Sequence, residues 1–86
     1  MHPARQPRNP RVTGVEPEAG YTLRLTFTNG EVRRYDVKPL LDFGVFARLR
    51  DAAVFNAVTA YHGTVHWAGG AIDICPDTLY EGSVAA

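Results

Sequence analysis

The chain has 86 residues, of which 45% are hydrophobic and 21% are charged, and its nine Lys and Arg balance nine Asp and Glu. This composition is typical of one small globular domain. The zero net charge excludes an overall field of the kind that draws nucleic acid or an anionic membrane to a basic protein. Cys75 is the only cysteine, which excludes an internal disulfide framework and the cysteine-rich zinc folds.

Residues 1–10 are predicted to form a flexible tail, because this stretch has three prolines, two arginines and few apolar residues that could pack. No apolar run follows the basic residues, as a signal peptide would require. No stretch approaches the ~20 apolar residues of a membrane span. Together with an unpaired cysteine, these features predict a cytoplasmic protein without a membrane partner.

The ordered part begins with a predicted β-meander. Apolar and polar residues alternate over 21–28, which is typical of a half-buried strand, and Asn29-Gly30 predicts the hairpin that follows. A strand over 11–16 is expected to lie antiparallel to the first one, with residues 17–20 as the turn between them. The first part of the domain is therefore a three-stranded meander.

The register of the hairpin follows from the cost of burying charge. A two-residue loop would place Arg34 and Asp36 on the apolar face. A three-residue loop with a left-handed Gly30 places Tyr35 and Val37 there instead. Because burial of two charges is unfavourable, we predict the three-residue loop.

The middle of the chain predicts short helices. Pro39 presets the first helical turn. Val45, Phe46 and Leu49 recur at i, i+1 and i+4, which predicts an amphipathic turn with these side chains on one face. Asp51 is a candidate cap for a further helical turn that extends to Val58. The predicted helical core residues are Phe46, Leu49 and Phe55.

The C-terminal third predicts a second meander, with tight turns at His62-Gly63 and Gly69-Gly70. These turns place six apolar residues on one face, in the pairs Ala60 with Val65, Val58 with Trp67, Trp67 with Ile72 and Val65 with Ile74. The opposite face carries Thr59, Tyr61, Thr64, His66, Asp73 and Cys75, with His66 opposite Asp73.

A short helix is predicted to close the domain. Pro76 favours its start, Asp77 suits its first turn, and Gly82 favours its end. A single domain is therefore expected over residues 11–82, with residues 83–86 as a tail. The predicted fold class is α+β, with two small antiparallel β-meanders flanking a short central helix and a short C-terminal helix.

His66, Asp73 and Cys75 form the candidate functional surface. A carboxylate beside an imidazole can orient a general base, and a thiol at a helix start can be reactive. His62 and His66, with Asp73 and Cys75, would also supply a zinc ligand set, although a turn separates the two imidazoles. The simpler interpretation is a cross-strand surface pair with a semi-buried cysteine at the cap position. We therefore predict no catalytic residue, metal or cofactor, and no enzyme activity.

A nucleic-acid surface is the alternative prediction. Its candidate residues are the basic side chains of the tail and the hairpin, Arg5, Arg8, Arg11, Arg33, Arg34 and Lys38. The first three recur at every third residue and would share one face of a polyproline II segment. Nucleic-acid-binding sheets also present aromatic residues, and Tyr61 is the only outward aromatic predicted on a strand.

Several motifs resemble those of the bacterial family called domain of unknown function 2442. The matching segments cover residues 11–81 and are Phe27-Thr28-Asn29-Gly30, Tyr35-Asp36, Pro39-Leu40-Leu41, Phe46-Ala47-Arg48-Leu49-Arg50-Asp51 and Trp67-Ala68-Gly69-Gly70-Ala71-Ile72-Asp73-Ile74-Cys75-Pro76-Asp77-Thr78-Leu79-Tyr80. The last segment is the most specific. Two departures are Cys75, where the family often has a serine, and a slightly longer spacing between Trp67 and Asp73.

The resemblance implies a small α+β domain with no established enzyme activity and no agreed catalytic residues. Relatives are often encoded beside another small protein, in an arrangement similar to toxin–antitoxin pairs. We therefore expect a non-enzymatic protein-interaction module, antitoxin-like in a two-protein system, whose partner is another small protein or a second copy of itself. Exposed strand edges of the two meanders would provide the contact.

Overall fold

A computed structural model describes residues 9–86 and has an α+β fold built on two antiparallel sheets. The strands are β1 Val12–Glu18, β2 Thr22–Phe27, β3 Val32–Asp36, β4 Thr59–Tyr61, β5 Thr64–Trp67, β6 Ile72–Ile74 and β7 Val84–Ala85. The first sheet has the order β1-β2-β3-β7 and the second the order β4-β5-β6. Most of the expected flexible tail, including Arg5 and Arg8, lies outside the described residues.

The hairpin between β2 and β3 has the predicted three-residue loop. Leu23 pairs with Tyr35, and the Gly30 N–H donates to the Phe27 carbonyl at 2.9 Å. Gly30 has φ 88°, the left-handed conformation that glycine adopts without steric cost. β1 is longer than expected at its end, because Pro17 and Glu18, predicted to lie in the turn, continue its pairing with β2.

Two α-helices, α1 Ala52–Phe55 and α2 Pro76–Gly82, accompany 3-10 helices at Lys38–Leu40, Gly44–Arg50 and Ala68–Gly70. The Asp51 side chain caps α1 as predicted and accepts from the Ala53 N–H at 3.0 Å. This helix ends at Phe55, so Val58 lies beyond it. At Gly82 the chain passes close to the Tyr35 ring, where a Cβ would lie 2.9 Å from Cε1. A glycine therefore suits the end of α2.

The second sheet has the predicted register. Ala60 pairs with Val65, and Trp67 pairs with Ile72. Both sheets bury their apolar faces in one core, in which the Trp67 indole N–H donates to the Phe55 carbonyl at 2.9 Å. The core residues are Val12, Leu23, Leu25, Phe27, Tyr35, Val37, Leu41, Leu49, Phe55, Val65, Trp67, Ile72, Ile74 and Leu79.

Residues 83–86 do not form the predicted tail. Ser83 is buried, and Val84–Ala85 pairs with β3 as a fourth strand, β7. The Ala86 N–H donates to the Val32 carbonyl at 3.0 Å. Because two residues carry no readable alternation, the sequence pattern could not indicate this strand.

Arg33 holds this C-terminal strand through a set of polar contacts. It lies opposite Leu25, so its side chain is on the buried side of the sheet. Its guanidinium donates to the Ser83 hydroxyl at 2.7 Å, to the Ser83 carbonyl at 2.6 Å and to Glu31 at 3.0 Å. It also lies 4.6 Å from the centre of the Tyr80 ring. We call Arg33, Glu31, Tyr80 and Ser83 the arginine cluster.

Tyr80 and Glu31 are coupled within the arginine cluster. The Tyr80 hydroxyl donates to Glu31 at 2.6 Å. This hydrogen bond is the largest cause that lowers the pKa of Glu31, and Asn29 and Arg33 lower it further. The same carboxylate raises the pKa of Tyr80 above its usual value of 10.0. The pair is therefore most stable with a neutral phenol and an ionised carboxylate.

None of the helices within residues 9–86 is long and apolar enough to cross a membrane.

Replacement of Arg33 by lysine is expected to lower the free energy of unfolding by about 1–3 kcal/mol, because an ammonium cannot reproduce the forked contacts to Ser83 and Glu31. Urea denaturation measures this change. Arg34→Lys is the matched control, since Arg34 pairs with Glu18 on the exposed side of the sheet and should change stability by less than about 0.5 kcal/mol. Equal effects of the two variants would contradict the role of the arginine cluster.

Tyr80→Phe should destabilise the protein in a pH-dependent manner. The lowered pKa of Glu31 makes its contribution present above the usual value of 4.5 and lost as the pH falls through the lowered pKa. The raised pKa of Tyr80 makes its contribution present below 10.0 and lost as the pH rises through the raised pKa. The stability difference between wild type and variant should be largest between about pH 5 and 9. A difference independent of pH in urea titrations would contradict this coupling.

Candidate functional site

His66 and Asp73 lie directly opposite each other on the outer face of the second sheet, as the sequence predicts. His66 is half-buried and Asp73 is exposed. Their side chains make no hydrogen bond or ion pair among the contacts within residues 9–86. The carboxylate therefore does not hold the imidazole in the orientation of a general base.

Instead, both histidines near this face stack with Tyr61. The Tyr61 and His62 ring centres are 3.9 Å apart at an interplanar angle of 16°. The Tyr61 and His66 centres are 4.8 Å apart at 6°. His62 has φ 49°, in the left-handed region, within the turn from β4 to β5. We call Tyr61, His62 and His66 the aromatic stack.

Cys75 occupies the N-cap position of α2, as expected, but it is exposed rather than semi-buried. Its side chain makes no capping hydrogen bond. Over residues 9–86, no three His, Cys, Asp or Glu side chains are grouped in a way that could hold a metal ion. The combination of His62, His66, Asp73 and Cys75 thus does not come together as a ligand set.

The basic residues of the hairpin are engaged by neighbouring groups. Arg33 belongs to the arginine cluster, and Arg34 pairs with Glu18 at 2.9 Å. Lys38 donates to Asp36 at 2.9 Å and to the Gly20 carbonyl at 3.1 Å. These contacts neutralise much of the charge that a phosphate would need.

Arg11 has a different environment. It is exposed and forms no ion pair within the described part of the chain. Its side chain crosses the turn between β4 and β5, where a Cβ on Gly63 would lie 2.6 Å from the Arg11 Nε. At the neighbouring residue, the Val12 N–H donates to the Gly63 carbonyl at 2.9 Å, and this hydrogen bond joins the two sheets. The sequence could not reveal this position, because residues 11 and 63 meet only in the folded chain.

Phe43 and Val45 form an exposed apolar protrusion. Their exposed fractions are 65% and 52%, so Val45 does not lie on the buried side of the predicted amphipathic turn. Gly44 between them has φ 49° and turns the chain outward. The sequence gives one indication of this feature. Two apolar residues flank a glycine, and charged residues lie on both sides of this segment, Asp42 directly before it and Arg48 three residues after Val45.

A cleft of about 360 Å³ lies between the β1–β2 turn and α1. Tyr21 lines it with φ 58°, which is uncommon for an aromatic residue. The Tyr21 hydroxyl donates to the Arg50 carbonyl, and its ring meets Phe55 edge-on at 5.2 Å. The polar side chains of its lining are Glu18, Tyr21 and Asn56.

Comparison with known proteins finds one matching family model and adds no activity. The model of a family described as Protein of unknown function (DUF2442) matches residues 12–85. This match confirms the resemblance that the motifs indicate. Curated proteins and solved structures give no match.

Cys75→Ser is expected to raise the free energy of unfolding by about 0.5–1 kcal/mol, because a serine hydroxyl can accept from the backbone N–H groups of the first turn of α2. Chemical denaturation checks this value, with Cys75→Ala as the control that removes the thiol without adding a cap. If the serine and alanine variants were equally stable, Cys75 would not occupy a position that a side chain can cap.

Proposed function

The chain belongs to the DUF2442 family of proteins of unknown function, and we propose that it is a non-enzymatic protein-interaction module, antitoxin-like in a two-protein system. The observation that carries the proposal is the apolar protrusion formed by Phe43 and Val45. We place the module in the cytoplasm, where a reducing environment suits the exposed thiol of Cys75.

The protrusion is held in a fixed shape before any partner binds. The Phe43 N–H donates to the Leu40 carbonyl, and the Phe46 N–H donates to the Phe43 carbonyl, both at 3.0 Å. Asp42 and Arg50 form an ion pair across the loop. Because these contacts order the backbone, the protrusion loses little conformational entropy when a partner binds.

The chemistry of the protrusion resembles the centre of a protein interface. Aromatic and arginine side chains dominate binding energy at such interfaces. Phe43 provides the aromatic group, and Arg48 is an exposed arginine nearby in sequence that forms no ion pair within residues 9–86. Burial of an exposed phenylalanine contributes about 1.5–3 kcal/mol. The protrusion therefore suits an apolar pocket on another small protein or on a second copy of this chain.

Strand edges offer a second route to association. β6 and β7 lie at the ends of their sheets, whereas β1 is joined to the second sheet through Val12 and Gly63. Both end strands are short, which limits the number of backbone hydrogen bonds that a partner strand could add. We therefore assign the main contact to the protrusion.

Phe43→Ser is expected to weaken partner binding about 10- to 100-fold, since it removes one buried aromatic group from the interface. The tagged protein is first used to capture a stoichiometric partner from a nuclease-treated lysate of its host. The purified pair is then measured by calorimetry, and light scattering of the protein alone tests for a mass of twice 9.4 kDa.

Val84→Ser is the matched control, because Val84 is 66% exposed and lies on β7 rather than on the protrusion. It should leave partner binding unchanged. Both variants should keep wild-type stability, as expected for exposed positions. The proposal fails if no stoichiometric protein or second copy binds, or if the two variants weaken binding equally.

A further inference from the structure

We propose that the aromatic stack and Arg11 form a binding site for single-stranded nucleic acid. A base would stack on the outer face of His62, with the Tyr61 ring packed behind it, and the Arg11 guanidinium would contact a neighbouring phosphate. This activity goes beyond the proposed protein-interaction module and uses a different surface.

The first argument is the exposure and order of the rings. Tyr61 is 51% exposed although it is a large aromatic residue on a strand, and His62 is also exposed. The two ring planes lie within 16° of each other, and His66 continues the stack at 6° from Tyr61. Because His62 and His66 cover the two faces of the Tyr61 ring, an incoming base meets the outer face of His62, which the stack already holds in place. Base–aromatic stacking of this kind contributes about 1–3 kcal/mol and accepts any base.

The second argument is the position of Arg11. Its side chain lies across Gly63, the residue directly after His62, so a cation is present at the same turn as the aromatic stack. Within residues 9–86 it has no carboxylate partner, which leaves its guanidinium able to donate to phosphate oxygens. Gly63 permits this arrangement, because a side chain there would collide with Arg11 and would be strained at φ 85°.

The distribution of charge favours a single strand over a duplex. Duplex-binding surfaces rely on several cations that follow two phosphate backbones. Here Arg34 and Lys38 are paired with carboxylates, and Asp73 adds a negative charge on the same face as His66. A ligand must therefore gain most of its affinity from stacking. Bases that are not paired in a helix can provide it.

The test is fluorescence anisotropy with labelled oligothymidylate and oligouridylate of about 12 nucleotides, a length that fits one small binding surface. Wild-type protein is expected to bind both, and more weakly as salt is raised. Tyr61→Ala removes the ring that holds His62 in place and should weaken binding about 5- to 100-fold through loss of the ordered stack. Tyr61→Phe keeps the ring and should retain wild-type affinity.

Two matched controls isolate the site. Phe43→Ala removes an aromatic residue that is more exposed than Tyr61 from the protrusion and should leave oligonucleotide binding unchanged. Arg11→Gln should weaken binding and reduce the slope of log affinity against log salt by about 0.7, as for one lost phosphate contact on a single strand. Arg48→Gln makes the same charge change at an exposed residue elsewhere and should have little effect on the slope.

The proposal is overturned by any of three results. The first is the absence of binding at low salt with protein at about 200 μM, above the weak end of the range of non-specific dissociation constants, about 100 μM. The second is equal loss of affinity in Tyr61→Ala and Phe43→Ala. The third is tighter binding to a duplex of the same length. Partner capture by Tyr61→Ala, expected to match wild type, distinguishes failure of this site from failure of the protein interface.

Discussion

The structure depends on the neutralisation of one charge on the inner side of the first sheet. The hairpin register that buries Tyr35 and Val37 also turns Arg33 inward, opposite Leu25. A guanidinium without partners would be costly there. Ser83 and Glu31 provide its hydrogen bonds, and Tyr80 lies against its face. Because two of these partners come from the end of the chain, the same contacts attach α2 and β7 to the sheet.

Sequence patterns were sufficient where the relevant contacts are local or repeat along a strand. The alternation over 21–28 predicted the first meander. The turns at His62-Gly63 and Gly69-Gly70 predicted the second meander and its register, in which Trp67 pairs with Ile72. The cost of burying Arg34 and Asp36 selected the correct loop. The same register turns Arg33 inward, but the pattern does not indicate its partner, because Ser83 lies 50 residues away. A strand of two residues, such as β7, carries no pattern from which it could be predicted.

The candidate site shows a similar division. Cross-strand geometry placed His66 opposite Asp73 correctly. It could not show that the imidazole stacks with Tyr61 rather than bonding to the carboxylate, because side-chain orientation depends on the turn conformation at His62. Exposure of Val45 likewise depends on the outward turn at Gly44. The aromatic stack and the apolar protrusion therefore emerge from left-handed turn residues, which a hydrophobic pattern does not describe.

The long separation within the arginine cluster has a consequence for synthesis of the protein. Ser83 is translated 50 residues after Arg33, which takes about 3–10 s at usual rates of elongation. During that interval the nascent first sheet contains an inward-facing cation without its C-terminal partners. Stable closure of the domain must therefore follow translation of its last segment. A ribosome that stalls before Ser83 would carry an open sheet edge, and such a chain would be a substrate for chaperones or proteases.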